Sequence, residues 1–579
     1  MSRRLFDLSQ LKELGGLKIG NLLAVDPKLY VKFLRHLSQR VRRDVVTKNM
    51  VFLTGLSAYT PTPINLFLRG ESSIGKTYNV VQTLKYFPEE DVWFLGGLSP
   101  KALIHMYGTL VDENNEPIDL SQKPDKDASP EEKQLWKERL RKSRYLVDLQ
   151  NKVLVFLEAP HIETFMMLRP ILSHDSWEIS YKFTDKTSRG ALQTKHVIIR
   201  GWPATIFCTT DVKYVQDLAT RGFTITPEMT TQKYQSANIL SATRDQYPWM
   251  FEKDEDFILM QGYIGNLKEV LKEFNGVVDP YAKKFAKIFP AKHPRSMRDF
   301  KHIRSLLKVH AMFHYAQRPI LIRREKEKEE RYVMVTAKDY QFILSLWYYV
   351  KETTETGAPG QIIQFYYDVC VPLGKDGSFT VEEATRKWND IASEPKSSDT
   401  IRRRWLRFLC DIGYLSKEPD PDDKRRYRFV LTKTQKNGKN RILLNSDFFE
   451  PQTLKAWFDG AKKISASNTL TCIDNVVNET EITLEQLYNM YYACGADIFP
   501  SPKRAEETEI KEEKSENQKI RLLPTILKIN WVEGAFAFHP CRVCGKSKMT
   551  GWKATTFSGE EFWICEDCKE EWEKMRKVR

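Results

Sequence analysis

No apolar run in the 579 residues approaches the roughly 20 that a membrane-spanning helix needs, so no membrane span is expected. The first residues, Met1-Ser2-Arg3-Arg4, lack the apolar segment of a secretory signal. No internal repeat is visible. Cysteine is sparse. Of nine, five are scattered (Cys208, Cys370, Cys410, Cys472, Cys494) and read as buried thiols of a reducing compartment, with no disulfide framework. Charge balance is also missing. Lys and Arg exceed Asp and Glu by 14, an excess that suits a polyanionic partner. With 41% hydrophobic and 12% aromatic residues, the chain can build several packed cores.

Its pattern changes along its length. Residues 1–60 read as helical, and Pro27 to Lys48 is amphipathic with Arg35, Arg40, Arg42 and Arg43. Over 61–230 strand-like and helical runs alternate, an α/β pattern. The strand candidates are Ile64–Leu68, Val92–Leu95, Val153–Leu157 and Thr205–Cys208. Asp112 to Lys142 reads as a charged, exposed insertion with a short helix near Pro130–Leu140. Residues 231–320 read as helical, 339–450 as a separate small domain and 451–500 as helical. Positions 501–520 form a charged linker, and 535–579 a small C-terminal module.

The most specific motif is Gly70-Glu71-Ser72-Ser73-Ile74-Gly75-Lys76-Thr77, G-x-x-x-x-G-K-T. It follows an apolar strand and opens a helix, the context a phosphate-binding loop requires. Gly70 and Gly75 let backbone N–H groups turn toward phosphate oxygens at a helix N-terminus. Lys76 would reach the β/γ-phosphates of ATP, and the Thr77 hydroxyl would hold Mg²⁺. A second buried strand ends in Leu157-Glu158, with one acid where two are usual. Glu158 is either the metal-side or the water-polarising acid, and Glu163 or Asp175 is a candidate for the other role. A third, Ile206-Phe207-Cys208-Thr209-Thr210-Asp211, offers Thr209 or Thr210 to hold an attacking water. Arg221, in Ala219-Thr220-Arg221-Gly222-Phe223, could reach a neighbouring subunit's ATP. Arg298 opens a long amphipathic helix, where the dipole disfavours a cation unless phosphate faces it.

In this order, the motifs resemble an AAA+ ATPase. The late helix, running from Arg298 to His310-Ala311, is most similar to that of minichromosome-maintenance helicases. The resemblance covers about residues 40–315. It implies that Arg298 is a second phosphate sensor, Arg221 an arginine finger, and Thr209 or Thr210 a stand-in for the usual sensor asparagine. It departs in the broken acidic pair, the missing asparagine and the absence of a large DNA-binding domain before residue 40. The fold expected is thus an α/β P-loop AAA+ core with a helical lid. The protein expected is a divergent helicase or translocase of a mobile or extrachromosomal element, a homo-oligomeric, hexameric ring working on DNA in the cytoplasm or nucleoid.

Further features point to DNA. Trp177–Phe183 and His196–Arg200 read as two strands around a long turn, a hairpin inserted over 177–200. The resemblance places a pore hairpin there, with Lys186, Arg189 and Lys195 tracking phosphates. Within 339–450, Thr380 caps one helix and Ser397 another, running from Thr400 to Gly413. The second carries Arg402, Arg403, Arg404 and Arg407 around apolar Ile401, Trp405, Leu406 and Leu409. A strand pair with Lys424, Arg425 and Arg426 at its turn follows. That order resembles a winged helix-turn-helix, with the basic helix in the major groove and the wing on backbone.

Cys541-x₂-Cys544 and Cys565-x₂-Cys568, twenty residues apart, are a strong signal for structural Zn²⁺ in a closed tetrahedron. The resulting zinc ribbon mixes Lys546, Lys548 and Lys553 with Trp552, Phe557 and Trp563. Two further functions fit parts of the pattern. One is an ATP-switched initiator or loader without processive unwinding. The other is a remodeller of something other than DNA, which the charge, the hairpin and the winged helix oppose.

Overall fold

The computed structural model describes residues 23–492 and 526–573, apart from positions 97–98, 126, 159–161, 187–191, 209–220, 292–294, 326–327, 357–358, 376, 393–394, 421–426, 433–443, 445, 465–468, 477–478, 532–536, 544–546, 551, 557–560, 566–567 and 571. The chain divides into two compact units, Met1–Phe499 and Pro500–Arg579.

The first unit is built on a sheet of five parallel strands. Their spatial order is Val92–Leu95, Val153–Phe156, Ala204–Cys208, Asn65–Leu68 and Phe223–Ile225. Apolar residues occupy both faces of the central strands, as a sheet covered on both sides demands. Leu66, Leu68, Val153, Val155, Ile206 and Cys208 face the main core. Phe67, Leu154, Phe156 and Phe207 enter a second core on the other face. There the ring of Phe207 stacks on those of Phe67 and Phe156, with centroids 4.8 and 4.6 Å apart.

The second core is closed by a four-stranded sheet in the order Thr109–Val111, Arg144–Asp148, Leu192–Arg200, Glu178–Lys186. Its last two strands form an antiparallel hairpin paired from Glu178–Arg200 to Lys186–Leu192. The charged insertion before it carries the helix Pro130–Lys142, started by a capping box between Ser129 and Glu132.

On the opposite face the helix Val45–Ser57 is almost wholly buried. It packs with the helices Ser296–Phe313 and Ala337–Thr356 in the main core. Residues 231–320, read as helical, form the helices Thr231–Gln246, Glu255–Val270, Ala282–Ile288 and Ser296–Phe313 and one short strand, Gly276–Val278. That strand joins a mixed sheet with Lys328–Met334, Ile320–Glu325 and Thr469–Ile473. The segment 451–492 therefore contains a strand as well as helices, because Leu470 and Cys472 alternate into the core.

The helix Ala337–Thr356, grouped from sequence with the small domain after it, packs in this main core. Asp339, fully buried at its start, explains why. Its carboxylate accepts from His310 Nδ1 at 2.6 Å, Arg318 Nη2 at 2.8 Å and Nε at 3.1 Å, and the Thr336 amide and hydroxyl at 2.7 and 2.8 Å. Together these bonds hold its pKa well below the usual carboxylate range, against the effect of burial.

Residues 360–431 have a core of their own around Phe365, Trp388, Trp405 and Leu409. A first helix, Gly360 to Gly374 with a π turn at Tyr366–Cys370, leads to the short strand Ser378–Phe379. Two helices follow. Val381–Ile391 starts with the Thr380–Glu383 capping box, and Ser397 caps the next, which runs to Asp411. The strands Leu415–Pro419 and Tyr427–Leu431 close a three-stranded sheet with Ser378–Phe379.

In the second unit, Ile526–Trp531, Trp552–Thr556 and Glu561–Ile564 form one antiparallel sheet. Ala537–Pro540 and Ser547–Thr550 form a hairpin. Among the described residues no helix is long and apolar enough to cross a membrane.

Asp339→Ala would leave Arg318 as an uncompensated buried cation, a loss of about 3–5 kcal/mol. It should lower the urea midpoint of unfolding measurably, and an unchanged midpoint would show that the hub is dispensable.

Candidate functional site

All five central strands run the same way, so their C-terminal ends share one edge, where ligands of open parallel sheets sit. Gly70–Gly75 turns at that edge between the strand Asn65–Leu68 and the helix Lys76–Leu84. Gly70 (φ 138°), Ser73 (φ 65°) and Gly75 (φ 85°) all have positive φ. At position 70 the backbone itself favours glycine, since residues with side chains rarely adopt that φ. A Cβ there would meet Ile74 Cδ1 at 2.4 Å.

Lys76 lies inside the turn, 8% exposed, and its ammonium donates to the Gly70 carbonyl at 3.0 Å and to the Glu71 carbonyl. Burial pulls its pKa down. Thr77 is exposed, and its hydroxyl lies close to the thiol of Cys208, the last residue of the neighbouring strand. Burial pushes that thiol up to about 12, so it is a neutral partner. Cys208 was read from sequence only as a scattered buried cysteine. Thr209 and Thr210, which follow it, lie outside the described residues. Glu158 lies at the same edge, exposed, two residues beyond the strand Val153–Phe156 and separated from the loop strand by Ala204–Cys208. The exposed Glu163 begins the helix that leaves this edge.

A buried polar brace, invisible in the sequence, holds the turn from behind. Asp44 Oδ2 lies 2.6 Å from Lys233 Nζ, which also donates to the Ile74 carbonyl at 2.8 Å. Asn79 Nδ2 donates to Asp44 at 2.9 Å and to the Gly75 carbonyl at 2.9 Å. The Glu228 amide donates to the other Asp44 oxygen at 2.6 Å, and Glu228 pairs with Arg43. Arg43 and Asp44 both adopt left-handed backbone, φ 56° and 52°, a cost of order 1–3 kcal/mol each that this network holds in place. The only local signal was an acid directly before the apolar helix Val45–Ser57.

Arg221 lies at the other edge. Asn65, the first residue of the loop strand, donates to the carbonyls of Leu172 at 2.8 Å and Arg221 at 3.4 Å. Five residues of extended chain, about 16 Å, separate Asn65 from Gly70. The Arg221 guanidinium pairs with Asp175 at 2.8 Å, so that acid is at this edge and not beside the turn. The helix Ser296–Phe313 starts here too, since Arg295 donates to the Gly222 carbonyl at 3.2 Å and to Asp299 at 3.2 Å. Arg298, exposed, lies one turn along.

Elsewhere, Arg402, Arg403, Arg404 and Arg407 are exposed together, while Ile401, Trp405, Leu406 and Leu409 are buried. Asp399 pairs with Arg402 and Arg403. Lys424, Arg425 and Arg426 lie outside the described residues. Lys186 and Lys195 belong to the hairpin strands, with side chains outside the description, as is Arg189 altogether.

In the second unit Cys541, Cys565 and Cys568 are buried with their sulfurs within 4.8 Å of one another. Three converging thiols can hold a metal ion, and zinc is the one that such a set suits. Cys544 lies outside the described residues. The sequence matches no protein-family model, and no curated protein is significantly similar to it.

Purified chain should carry about one equivalent of zinc, lost in Cys565→Ser, by elemental analysis. Metal-free protein with unchanged folding would remove this assignment.

Proposed function

We propose that the protein is an ATP-dependent DNA helicase or translocase of the AAA+ type, related in design to minichromosome-maintenance helicases and working as a ring of identical subunits. In this reading Gly70–Thr77 wraps the phosphates of ATP. Lys76 would leave the loop carbonyls for the β/γ-phosphates, and the Thr77 hydroxyl would hold Mg²⁺, which would supply charge to stabilise the transferring phosphoryl group. Glu158, and Thr209 or Thr210, would act on the attacking water.

One observation carries the reading. The turn and the acid share one edge of the sheet, whereas Arg221 and the start of the Arg298 helix share the other. An arginine there cannot complete its own chain's site but is available to the next copy's, and stacking copies edge to edge builds shared sites. The Arg221–Asp175 pair is surface-exposed on the acid side and worth at most about 1 kcal/mol, so it can be exchanged for phosphate at little cost. The segment 360–431 fits a winged helix-turn-helix, with exposed arginines on the helix that would enter the major groove. The zinc-ribbon reading of the second unit completes the design.

A second reading, an ATP-switched initiator or loader, is favoured by the contact of this segment with the glycine turn through Lys396 and Glu71. Strand separation on a forked duplex distinguishes the two, since only the helicase should unwind with ATP and stop with Lys76→Ala.

Shared sites make a sharper prediction. Lys76→Ala and Arg221→Ala should each lower ATP hydrolysis about 10²-fold or more, and mixing the two proteins should restore part of it. A mixture no better than its components would mean that each chain completes its own site.

A further inference from the structure

Two polar contacts join the segment 360–431 to the rim of the glycine turn. Lys396 Nζ lies 3.0 Å from Glu71 Oε1 and 3.1 Å from Oε2, and its side chain is only 14% exposed. The Gly360 amide donates to Thr226 Oγ1 at 3.0 Å, and the Thr226 methyl would lie 3.2 Å from a Cβ on Gly70. A cavity of about 320 Å³ opens in the same seam, lined by Met229, Thr230 and Gln232 on one side and Gln361, Gln364 and Trp388 on the other. The indole N–H of Trp388 is buried there without a partner. The segment, with its own core, is thus held to the turn by polar ties across an under-packed seam, the kind of contact that parts locally at low cost.

Lys396 directly precedes Ser397, the cap of the arginine-rich helix. Backbone amides and side chains at the start of such a helix are where a DNA phosphate is gripped. The same lysine is one side chain away from the phosphate position of the turn. Its partner Glu71 is also the residue whose carbonyl accepts from Lys76, the lysine inside the turn.

We propose that Lys396 is shared between two phosphate ligands, the triphosphate on the glycine turn and the backbone of DNA on the arginine-rich helix, and that the two compete for it. Triphosphate adds negative charge beside Glu71 and holds Lys396 on the turn. DNA draws it away and loosens the seam. By linkage the effect is reciprocal, each ligand weakening the other through this residue. This inference rests on the functional reading above, in that the turn binds nucleotide and the segment binds DNA.

The test measures affinity of the full-length protein for a fluorescent duplex, with and without a non-hydrolysable ATP analogue and Mg²⁺. The ratio of Kd with nucleotide to Kd without should be about fivefold or more larger in the wild type than in Lys396→Gln. Glu71→Gln should tighten nucleotide-free DNA binding, whereas Glu138→Gln, which removes an exposed charge on the helix Pro130–Lys142, should not. Equal ratios in wild type and Lys396→Gln would overturn the sharing and leave the nucleotide and DNA sites intact. Equal tightening by Glu71→Gln and Glu138→Gln would reduce the effect to bulk charge and overturn it as well. A wild type that binds no nucleotide, or no DNA, would sink the functional reading itself.

Discussion

The parallel ladder of the central sheet is the constraint on which everything else depends. Because five strands run the same way, each contributes its C-terminal end to one edge and its N-terminal end to the other. The glycine turn, Cys208 and Glu158 therefore gather without any contact among them having to enforce it. The same geometry sends Arg221 and the Arg295–Asp299 helix start to the far edge. A parallel sheet also needs crossovers and cover on both faces. Those requirements account for the buried helix Val45–Ser57 on one side and the phenylalanine layer under the hairpin sheet on the other.

Around that frame, two buried carboxylates hold elements in register. Asp44 ties three segments to the turn, and Asp339 ties the helix Ala337–Thr356 to the end of Ser296–Phe313. Each is fully satisfied, which is what makes a buried carboxylate tolerable. The seam under the segment 360–431 is different in kind. It combines a cavity, an unpartnered indole N–H and one ion pair, and it adjoins the proposed ATP site.

Local signals were the legible ones. The spacing of Gly70, Gly75 and Lys76 is a property of eight consecutive residues, and the left-handed angles at both glycines follow from it. The Thr380 and Ser397 caps, the arginine face at 402–407 and the buried cysteines that could hold a metal ion were readable for the same reason. Long-range partners were not. Lys396 and Glu71 are 325 residues apart, and Asp44 and Glu228 are 184 apart, with no pattern in either neighbourhood to link them. Thr469–Ile473 was hidden because a five-residue strand between helices carries little periodicity. Ala337–Thr356 was assigned to the wrong neighbour because burial by the main core leaves no mark on the sequence beyond its apolar residues.

The central claim is that Gly70–Thr77 binds the phosphates of a nucleoside triphosphate. Calorimetric titration of the purified chain tests it most directly. The account predicts saturable binding of Mg²⁺–ATP, much weaker binding of AMP, and a loss of at least about tenfold in affinity for ATP in Lys76→Ala, since a charge-assisted phosphate contact is worth about 1.5–3 kcal/mol. Equal affinity for ATP and AMP, or binding indifferent to Lys76, would contradict it.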